Sequence, residues 1–218
     1  MLVNLPKYYE LQSFLQNHSA TLVAVSKTKP AEAIMALYEA GQRDFGENYV
    51  QELVDKAASL PKDIKWHFIG HLQTNKVKYI APFVYLIHGV DSLKLLQEIN
   101  KQALKNNRVI DCLLQIHIAT EESKFGFAMD EIQQFHWQQL AELSGVRVRG
   151  FMGMASFTDN ETQIQQEFNA LATCFKAAQM HYEHLTILSM GMSGDYPLAI
   201  AQGSNMVRVG SLLFGARS

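Results

Sequence analysis

Residues 21–47 read TLVAVSKTKPAEAIMALYEAGQRDFGE, and this stretch predicts the unit from which the fold is built. A short apolar run at 21–26 is followed by a helical pattern over 30–40 and by a second short run at 43–47. Pro30 suits the first turn of the intervening helix, because a backbone N–H at that position would be unpaired in any case. Two strands joined by a helical crossover are expected to lie parallel.

The same alternation continues along the rest of the chain. Further apolar runs, typical of parallel strands buried on both faces, occur at 65–70, 83–90, 109–118, 146–154, 185–190 and 206–210. Amphipathic helical patterns occur at about 5–18, 47–59, 91–105, 130–143, 160–182 and 194–202. Eight strands with helical crossovers predict an α/β protein with a (β/α)8 TIM barrel. An open, doubly wound sheet uses the same unit, and only the count of eight favours the barrel.

The length, charge and cysteine content of the chain limit the kinds of protein that it can be. The length of 218 residues suits one domain, and we expect residues 1–218 to form it. A net charge of −2 lacks the basic excess of a general nucleic-acid binder. We expect neither a signal peptide nor a membrane contact, since no apolar run approaches the roughly 20 residues of a transmembrane helix. Cys112 and Cys174 lie far apart in apolar segments, which suits free thiols in the reducing cytoplasm.

Lys27 stands out because of its place at the end of the first predicted strand. Side chains alternate along a strand, so Lys27 shares a face with Val23 and Val25 and points toward the mouth of the barrel. Desolvation there lowers the pKa of a lysine, and the neutral amine can form a Schiff base with a carbonyl compound. The alternative is an ordinary lysine that extends from a strand end into solvent.

Two turns after the last two strands suit an anion. Ser193-Gly194 and Gly210-Ser211 each precede a helix, where glycine permits close backbone approach and N–H groups are unpaired. Barrels often bind phosphate with the loops after strands seven and eight, although Gly and Ser are also ordinary turn residues. Arg208 lies within the last apolar strand and needs a partner there, which is either a structural ion pair or a ligand atom.

Seven segments, in order along the chain, resemble the pyridoxal phosphate (PLP) homeostasis protein family. They are AVSKTKP, FGENYVQE, WHFIGHLQTNK, ESKFGF, RGFMGMA, LSMGMSGDYPLAI and VRVGSLLFGAR, and the resemblance extends from about residue 21 to residue 217. It implies the barrel of the N-terminal domain of alanine racemase, which is fold type III of the PLP proteins. It also implies that the racemase's second, β-rich domain is lacking, as we expect from a chain that ends at Ser218.

The resemblance further implies a role for individual residues. Lys27 matches the lysine that forms the internal aldimine with PLP, Asn48 matches a residue near the ring oxygen, and Arg208 matches the arginine facing the pyridine nitrogen. The phosphate cup is matched by Ser193, Gly194, Gly210 and Ser211. The family often has Asp at the position of Gly194 and Thr at that of Ser211. Serine keeps the hydroxyl, and Gly194 contributes only its backbone N–H, so both departures are compatible with binding.

The function implied by the resemblance is to hold PLP as a Schiff base and to buffer it or deliver it. An arginine that donates to the pyridine nitrogen keeps that nitrogen unprotonated, because two cationic donors would repel. An unprotonated ring is a weak electron sink, which favours a carrier over an enzyme. Two alternatives stay open: a PLP-dependent amino-acid racemase or decarboxylase, and a sugar-phosphate enzyme on the same barrel without the cofactor.

The implied partners are PLP, other B6 vitamers and PLP-dependent apoenzymes, and we expect a monomer. Four methionines at strand ends are expected to pack around the ring, namely Met152, Met154, Met190 and Met192. Three lysines are expected in or near loops at the mouth, where a basic rim would attract a phosphorylated vitamer, namely Lys29, Lys76 and Lys124.

Overall fold

Eight parallel strands close into a barrel in the computed structural model, which describes residues 2–120 and 125–215. The strands are β1 Thr21–Val25, β2 Asp44–Glu47, β3 Lys65–Phe68, β4 Leu86–Val90, β5 Ile110–Gln115, β6 Val146–Met152, β7 Ile187–Ser189 and β8 Met206–Val209. Each strand pairs with the next, and β8 returns to pair with β1 from Thr21 to Ala24. The prediction of a (β/α)8 barrel is therefore confirmed, and the open doubly wound sheet is excluded.

Helices connect most of the strands on the outside of the barrel. They are α1 Leu5–Asn17, α2 Ala31–Glu39, α3 Val50–Ser59, α4 Val77–Ile80, α5 Leu93–Lys105, α6 Met129–Gln133, α7 Glu161–Gln179, α8 Tyr196–Ala201 and α9 Ser211–Phe214, with short 3₁₀ helices at Thr74–Lys76 and Trp137–Glu142. The sequence did not predict α4, because Val77 and Ile80 mark only one turn of apolar periodicity. Among the described residues, no helix combines the length and the apolar character needed to cross a membrane.

The single helix predicted over 130–143 is wrong, because the structure divides this segment. α6 ends at Gln133, and a 3₁₀ helix begins at Trp137. The rings of Phe135 and Trp137 pack together in the core with centroids 4.8 Å apart. Residues two apart lie on different faces of an α-helix, so a continuous helix would not bring both rings into the core.

Side chains of the strands alternate between two cores. Leu22 and Ala24 of β1 pack into the large core between the barrel and its helices, whereas Val23 packs inside the barrel. The cluster inside the barrel consists of Val23, Leu86, Leu113, Met152 and Met206. Val25 and Lys27 continue the inward row of β1 and line a cavity at the carboxyl ends of the strands. The alternation along β1 thus carries Lys27 to the mouth of the barrel.

Candidate functional site

A cavity of about 450 Å³ opens at the carboxyl ends of the strands. All seven residues that the resemblance assigned to the cofactor line this cavity, namely Lys27, Asn48, Ser193, Gly194, Arg208, Gly210 and Ser211. The remaining lining consists of Val25, Thr28, Lys29, Ile69, Met154, Phe157, Met192 and Gly215. Sequence reasoning missed Ile69 and Phe157, because apolar side chains carry no chemical signal that distinguishes a cavity wall from a core.

Lys27 lies on the turn that follows β1, and hydrogen bonds hold the residues on either side of it. The Thr28 N–H donates to Glu52 Oε1 at 2.6 Å, and the Lys29 N–H donates to the Ser26 carbonyl at 3.0 Å. Thr28 has a φ of +63°, a left-handed conformation that threonine rarely adopts. Such strain persists only where the surroundings hold it in place. The carboxylate of Glu52 therefore helps to maintain the turn that carries Lys27.

A buried cluster of charges lies behind this turn. Lys56 donates to Glu47 Oε1 at 2.8 Å and to Glu52 Oε1 at 2.6 Å. It also donates to the Ser26 carbonyl at 2.8 Å, and Ser26 Oγ donates to Glu47 Oε1 at 2.6 Å. Burial raises the pKa of the Glu47 carboxyl, and the positive charge of Lys56 opposes this rise. The hydrogen bonds of this cluster connect the turn that carries Lys27 to β2 and α3.

We expect Lys56→Met to lower the free energy of unfolding by about 3 kcal/mol, because it leaves Glu47 buried without its cationic partner. Urea denaturation of the protein without cofactor measures this change. Lys101→Met is the matched control, since it removes an exposed pair with Glu98 at 3.8 Å and should cost less than about 1 kcal/mol. Adding Glu47→Gln to Lys56→Met should restore part of the loss. Equal, small losses in the two lysine variants would contradict the argument.

The loops after β7 and β8 meet at the cavity and present unused backbone donors. The Gly210 N–H donates to Ser193 Oγ at 3.2 Å, which links the two loops. Within the part of the chain that the structure describes, the N–H groups of Ser193, Gly194 and Ser211 donate to no protein acceptor. A Cβ placed on Gly194 would meet nothing within 4 Å, so the space beside it is open. This arrangement suits an anion held between the two loops.

Gly210 also has a steric reason to be glycine. A Cβ at this position would come 3.2 Å from the carbonyl oxygen of Val25. The absence of a side chain at position 210 therefore lets the loop after β8 pass this close to β1 without displacing it. The close approach brings the proposed anion site next to the turn of Lys27.

Asn48 follows β2 and has a buried polar atom without a partner. Its Oδ1 makes no hydrogen bond to any of the described residues. An unpaired buried acceptor or donor costs about 1–3 kcal/mol. Asn48 also lines the cavity, and its unpaired amide atom is an acceptor, or a donor if the amide is rotated.

Arg208 of β8 is 4% exposed, and its partners are oxygen atoms of uncharged groups. Nη1 donates to the Ser189 carbonyl at 2.9 Å and to Ser189 Oγ at 2.7 Å, and Nη2 donates to the Gly153 carbonyl at 3.0 Å. Burial lowers the pKa of the guanidinium to about 10, and the charge of Asp195 opposes this. Arg208 thus remains a cation at neutral pH. The described residues offer it no ion pair within 4.0 Å, so the structural ion pair considered from sequence is not observed there.

The four methionines divide between the cavity and the two cores. Met154 and Met192 line the cavity, whereas Met152 belongs to the cluster inside the barrel and Met190 to the outer core. The prediction that Met190 packs around the ring is wrong, because the inward position of Ser189 turns its neighbour outward. Met152 lies one layer too deep to line the cavity.

The predicted rim lysines also occupy different places. Lys29 lines the cavity, and its Nζ donates to the Phe214 carbonyl at 3.1 Å. Lys76 lies over the ring of Tyr79 at 5.6 Å and lines a neighbouring groove that shares Asn48. Lys124 lies outside the described residues, as do the end of the VRVGSLLFGAR segment and part of ESKFGF.

Sequence comparisons identify similar proteins. The family model of the alanine racemase N-terminal domain matches residues 7–218. A pyridoxal phosphate homeostasis protein of Aquifex aeolicus is 41% identical over 200 residues, which cover 91% of this chain and 87% of that protein. A protein of the same name from Vibrio alginolyticus is 40% identical over 217 residues, which cover 97% of this chain and 92% of that protein.

Solved structures show the same relationship. PipY of Synechococcus elongatus, solved with PLP bound, is 37% identical, with a TM-score of 0.87 and coverage of 96% of this chain and 99% of PipY. An alanine racemase of Clostridium difficile is 14% identical with a TM-score of 0.74, and the match covers 96% of this chain and 56% of the racemase. The likeness to the racemase shows a shared barrel fold.

Proposed function

Because this chain belongs to the alanine racemase N-terminal domain family and, within it, to the pyridoxal phosphate homeostasis proteins, we propose that it binds PLP and takes part in vitamin B6 homeostasis. The observation that carries the proposal is that all seven assigned residues line one cavity of about 450 Å³. These residues are distributed from Lys27 to Ser211, and the closed barrel brings them to a common mouth.

Several features of the cavity fit PLP. The unused N–H groups of Ser193, Gly194 and Ser211 suit its phosphate. The unpaired amide atom of Asn48 suits a polar atom on the ring. Lys27 would hold PLP through its amine, which can condense with the aldehyde carbon of PLP and release water. A covalent link of this kind is reversible, as retention and later release of the cofactor require.

Arg208 favours a carrier function over catalysis. Its guanidinium has only hydrogen-bond donors and keeps its charge at neutral pH, since burial lowers its pKa only to about 10. In the proposed site it would donate to the pyridine nitrogen of PLP, which would then accept and stay unprotonated. The ring is then a weak electron sink. The site holds its ligand without strongly promoting the removal of a proton from a bound amino acid.

We propose a monomer in the cytoplasm that forms one PLP-binding domain, and that passes PLP or related vitamers to apoenzymes. Free thiols at Cys112 and Cys174 support a reducing compartment. Transfer is tested by the recovery of activity in a PLP-dependent apoenzyme in the presence of an aldehyde scavenger. If activity returns only when the scavenger is omitted, direct delivery is wrong.

The visible absorption spectrum is the direct test of binding. We expect the purified protein to be yellow, or to become so when PLP is added, and to keep the visible band after gel filtration. Light scattering during the same filtration should give the mass of one chain, 24.6 kDa. A protein that stays colourless at saturating PLP would contradict the proposal and would favour a barrel enzyme without the cofactor. Turnover of L- or D-amino acids above the rate with free PLP would favour the racemase or decarboxylase.

A further inference from the structure

A continuous chain of polar side chains crosses the interior of the barrel and ends at Arg208. Asp44 Oδ1 lies 2.9 Å from His67 Nε2, and His67 Nδ1 lies 2.9 Å from His88 Nε2. His88 Nδ1 lies 3.2 Å from Ser189 Oγ, which accepts from Arg208 Nη1 at 2.7 Å. Four hydrogen bonds thus connect the amino-terminal end of β2 with the cavity at the opposite end of the barrel.

This row of hydrogen-bonded polar side chains is unusual because it is buried. His67, His88 and Ser189 are 0% exposed, while the side chain of Asp44 is 19% exposed at the far end. The interiors of such barrels are mostly filled by branched apolar side chains. Each buried polar group carries a desolvation cost that only a good hydrogen bond offsets. A buried row of polar groups in which every neighbouring pair is hydrogen-bonded therefore indicates a role other than packing.

The two ends of the chain determine the direction of its hydrogen bonds. Arg208 can only donate, and the carboxylate of Asp44 can only accept. Ser189 Oγ accepts from Arg208, so its own hydrogen is available to His88 Nδ1. The hydrogen of a neutral His88 ring then lies on Nε2 and donates to His67 Nδ1. His67 in turn carries its hydrogen on Nε2 and donates to Asp44.

If these hydrogen bonds ran in the opposite direction, fewer of the donors and acceptors would be paired. That direction requires a second hydrogen on the His67 ring, and it leaves the Ser189 hydroxyl hydrogen without an acceptor in the chain. Burial holds the pKa of His88 well below its ordinary value, and the nearby His67 and Arg208 lower it further. A neutral His88 that accepts at Nδ1 agrees with this environment. The hydroxyl of Ser189 is thereby turned so that a lone pair faces the guanidinium.

We propose that His88 is a positioning residue, which acts through the Ser189 hydroxyl to fix the guanidinium of Arg208 against the ring nitrogen of the bound cofactor. This inference rests on the proposed function. Three of the five N–H groups of Arg208 are used by Ser189 and Gly153. The other two donate to none of the described residues, and Arg208 lines the cavity, where a ligand could accept from them. Their direction depends on how firmly the other three are held.

Three variants separate positioning from simple filling of the core. In His88→Asn, an amide oxygen can take the place of Nδ1 and still accept from Ser189, but the side chain no longer reaches His67. In His88→Gln, the longer amide can take the place of Nε2 and still donate to His67, but the acceptor for Ser189 is lost. Ser189→Ala removes the hydroxyl and keeps the backbone carbonyl that binds Arg208. This last variant is a small truncation that the fold should tolerate.

The readout is the state of the ring nitrogen, measured by NMR with PLP carrying ¹⁵N in the ring. Mass spectrometry after borohydride reduction first establishes that each variant is loaded on Lys27. We expect His88→Asn to match the unaltered protein. His88→Gln and Ser189→Ala should each raise the protonated fraction of the ring nitrogen about tenfold, which is one unit of pKa.

The possible failures are distinct. An unaltered protein that carries no adduct on Lys27 would overturn the proposed function. Full loading of all variants with an unchanged ¹⁵N signal in Ser189→Ala and His88→Gln would overturn the positioning role alone. The same signal change in His88→Asn as in His88→Gln would also overturn it, because any replacement would then act through packing. If a His88 variant fails to fold, the other His88 variant is compared with the unaltered protein, and an unchanged ¹⁵N signal in Ser189→Ala still overturns the positioning role.

Discussion

Lys27→Ala should abolish the covalent adduct that borohydride traps on the protein saturated with PLP. Lys27 is the inward-facing lysine that follows β1, and the turn that carries it is held by Glu52 and by the Lys29 N–H bond to Ser26. Lys29 is the other lysine among the described residues of the cavity lining, and its Nζ donates to the Phe214 carbonyl, so we expect the aldehyde to bond to Lys27. Mass spectrometry of the intact protein and of its peptides after reduction measures the loss.

Lys29→Ala is the matched control for this prediction. Lys29 lines the same cavity two residues further along the chain, and its Nζ is engaged with the Phe214 carbonyl at 3.1 Å. The Lys29 variant should keep a full adduct on Lys27. An adduct that persists in Lys27→Ala, or one that disappears in Lys29→Ala alone, would contradict the assignment of the amine.

Ser211→Asp should weaken the retention of PLP by about a thousandfold. The substitution places a carboxylate beside the loops proposed to hold the phosphate. Two unit charges about 4 Å apart repel by about 4 kcal/mol at an effective dielectric constant near 20. A dianionic phosphate doubles this repulsion, whereas solvent at the exposed Ser211 reduces it. A net repulsion of about 4 kcal/mol remains, which corresponds to a roughly thousandfold increase in the dissociation constant. Equilibrium dialysis against PLP gives the dissociation constant.

Ser211→Asn separates the charge from the shape of the side chain. Asparagine has nearly the same volume as aspartate, keeps the backbone N–H and adds no charge. We expect the dissociation constant of this variant to change by less than about tenfold, the effect of one net hydrogen bond. Thermal unfolding without PLP should be alike in both variants, because Ser211 is exposed. Equal affinities of the Asp and Asn variants would place the phosphate elsewhere.

The two predictions concern residues that follow two neighbouring strands at the mouth of one cavity. Lys27 follows the first strand, whereas Ser211 follows the last, and these strands are neighbours because β8 pairs with β1. Gly210 lies close to Val25 where β8 and β1 pair. Closure of the barrel is therefore what allows one small ligand to be held covalently at one end and electrostatically at the other.

Much of the fold was predictable because its signals are local. A run of apolar residues that are buried on both faces marks a parallel strand, and all eight predicted runs contain a strand of the barrel. The predicted ends of the helices and strands were less accurate. The helix predicted to begin at residue 47 begins at Val50, after β2 has ended at Glu47. The break between Gln133 and Trp137 was missed, because it depends on two rings that meet in the core.

The buried Glu47–Lys56 cluster was invisible to sequence reasoning for a related physical reason. A glutamate at a strand end and a lysine on an amphipathic helix are ordinary surface residues by type. Only the packing of α3 against β2 shows that both are buried and joined at 2.8 Å. A strand residue followed by a lysine nine positions later carries no spacing signal, because the two lie on different elements.

By itself, the sequence determined the eight strands and the resemblance to the family, which assigned seven residues to the cofactor, since strand periodicity and ordered motifs are properties of neighbouring residues. Only the tertiary structure decided that those seven residues share a cavity and that a polar chain reaches Arg208. The links of that chain join residues 23, 21, 101 and 19 positions apart. Such contacts depend on which side chains of different strands turn inward at the same level, and closure of the barrel sets that register.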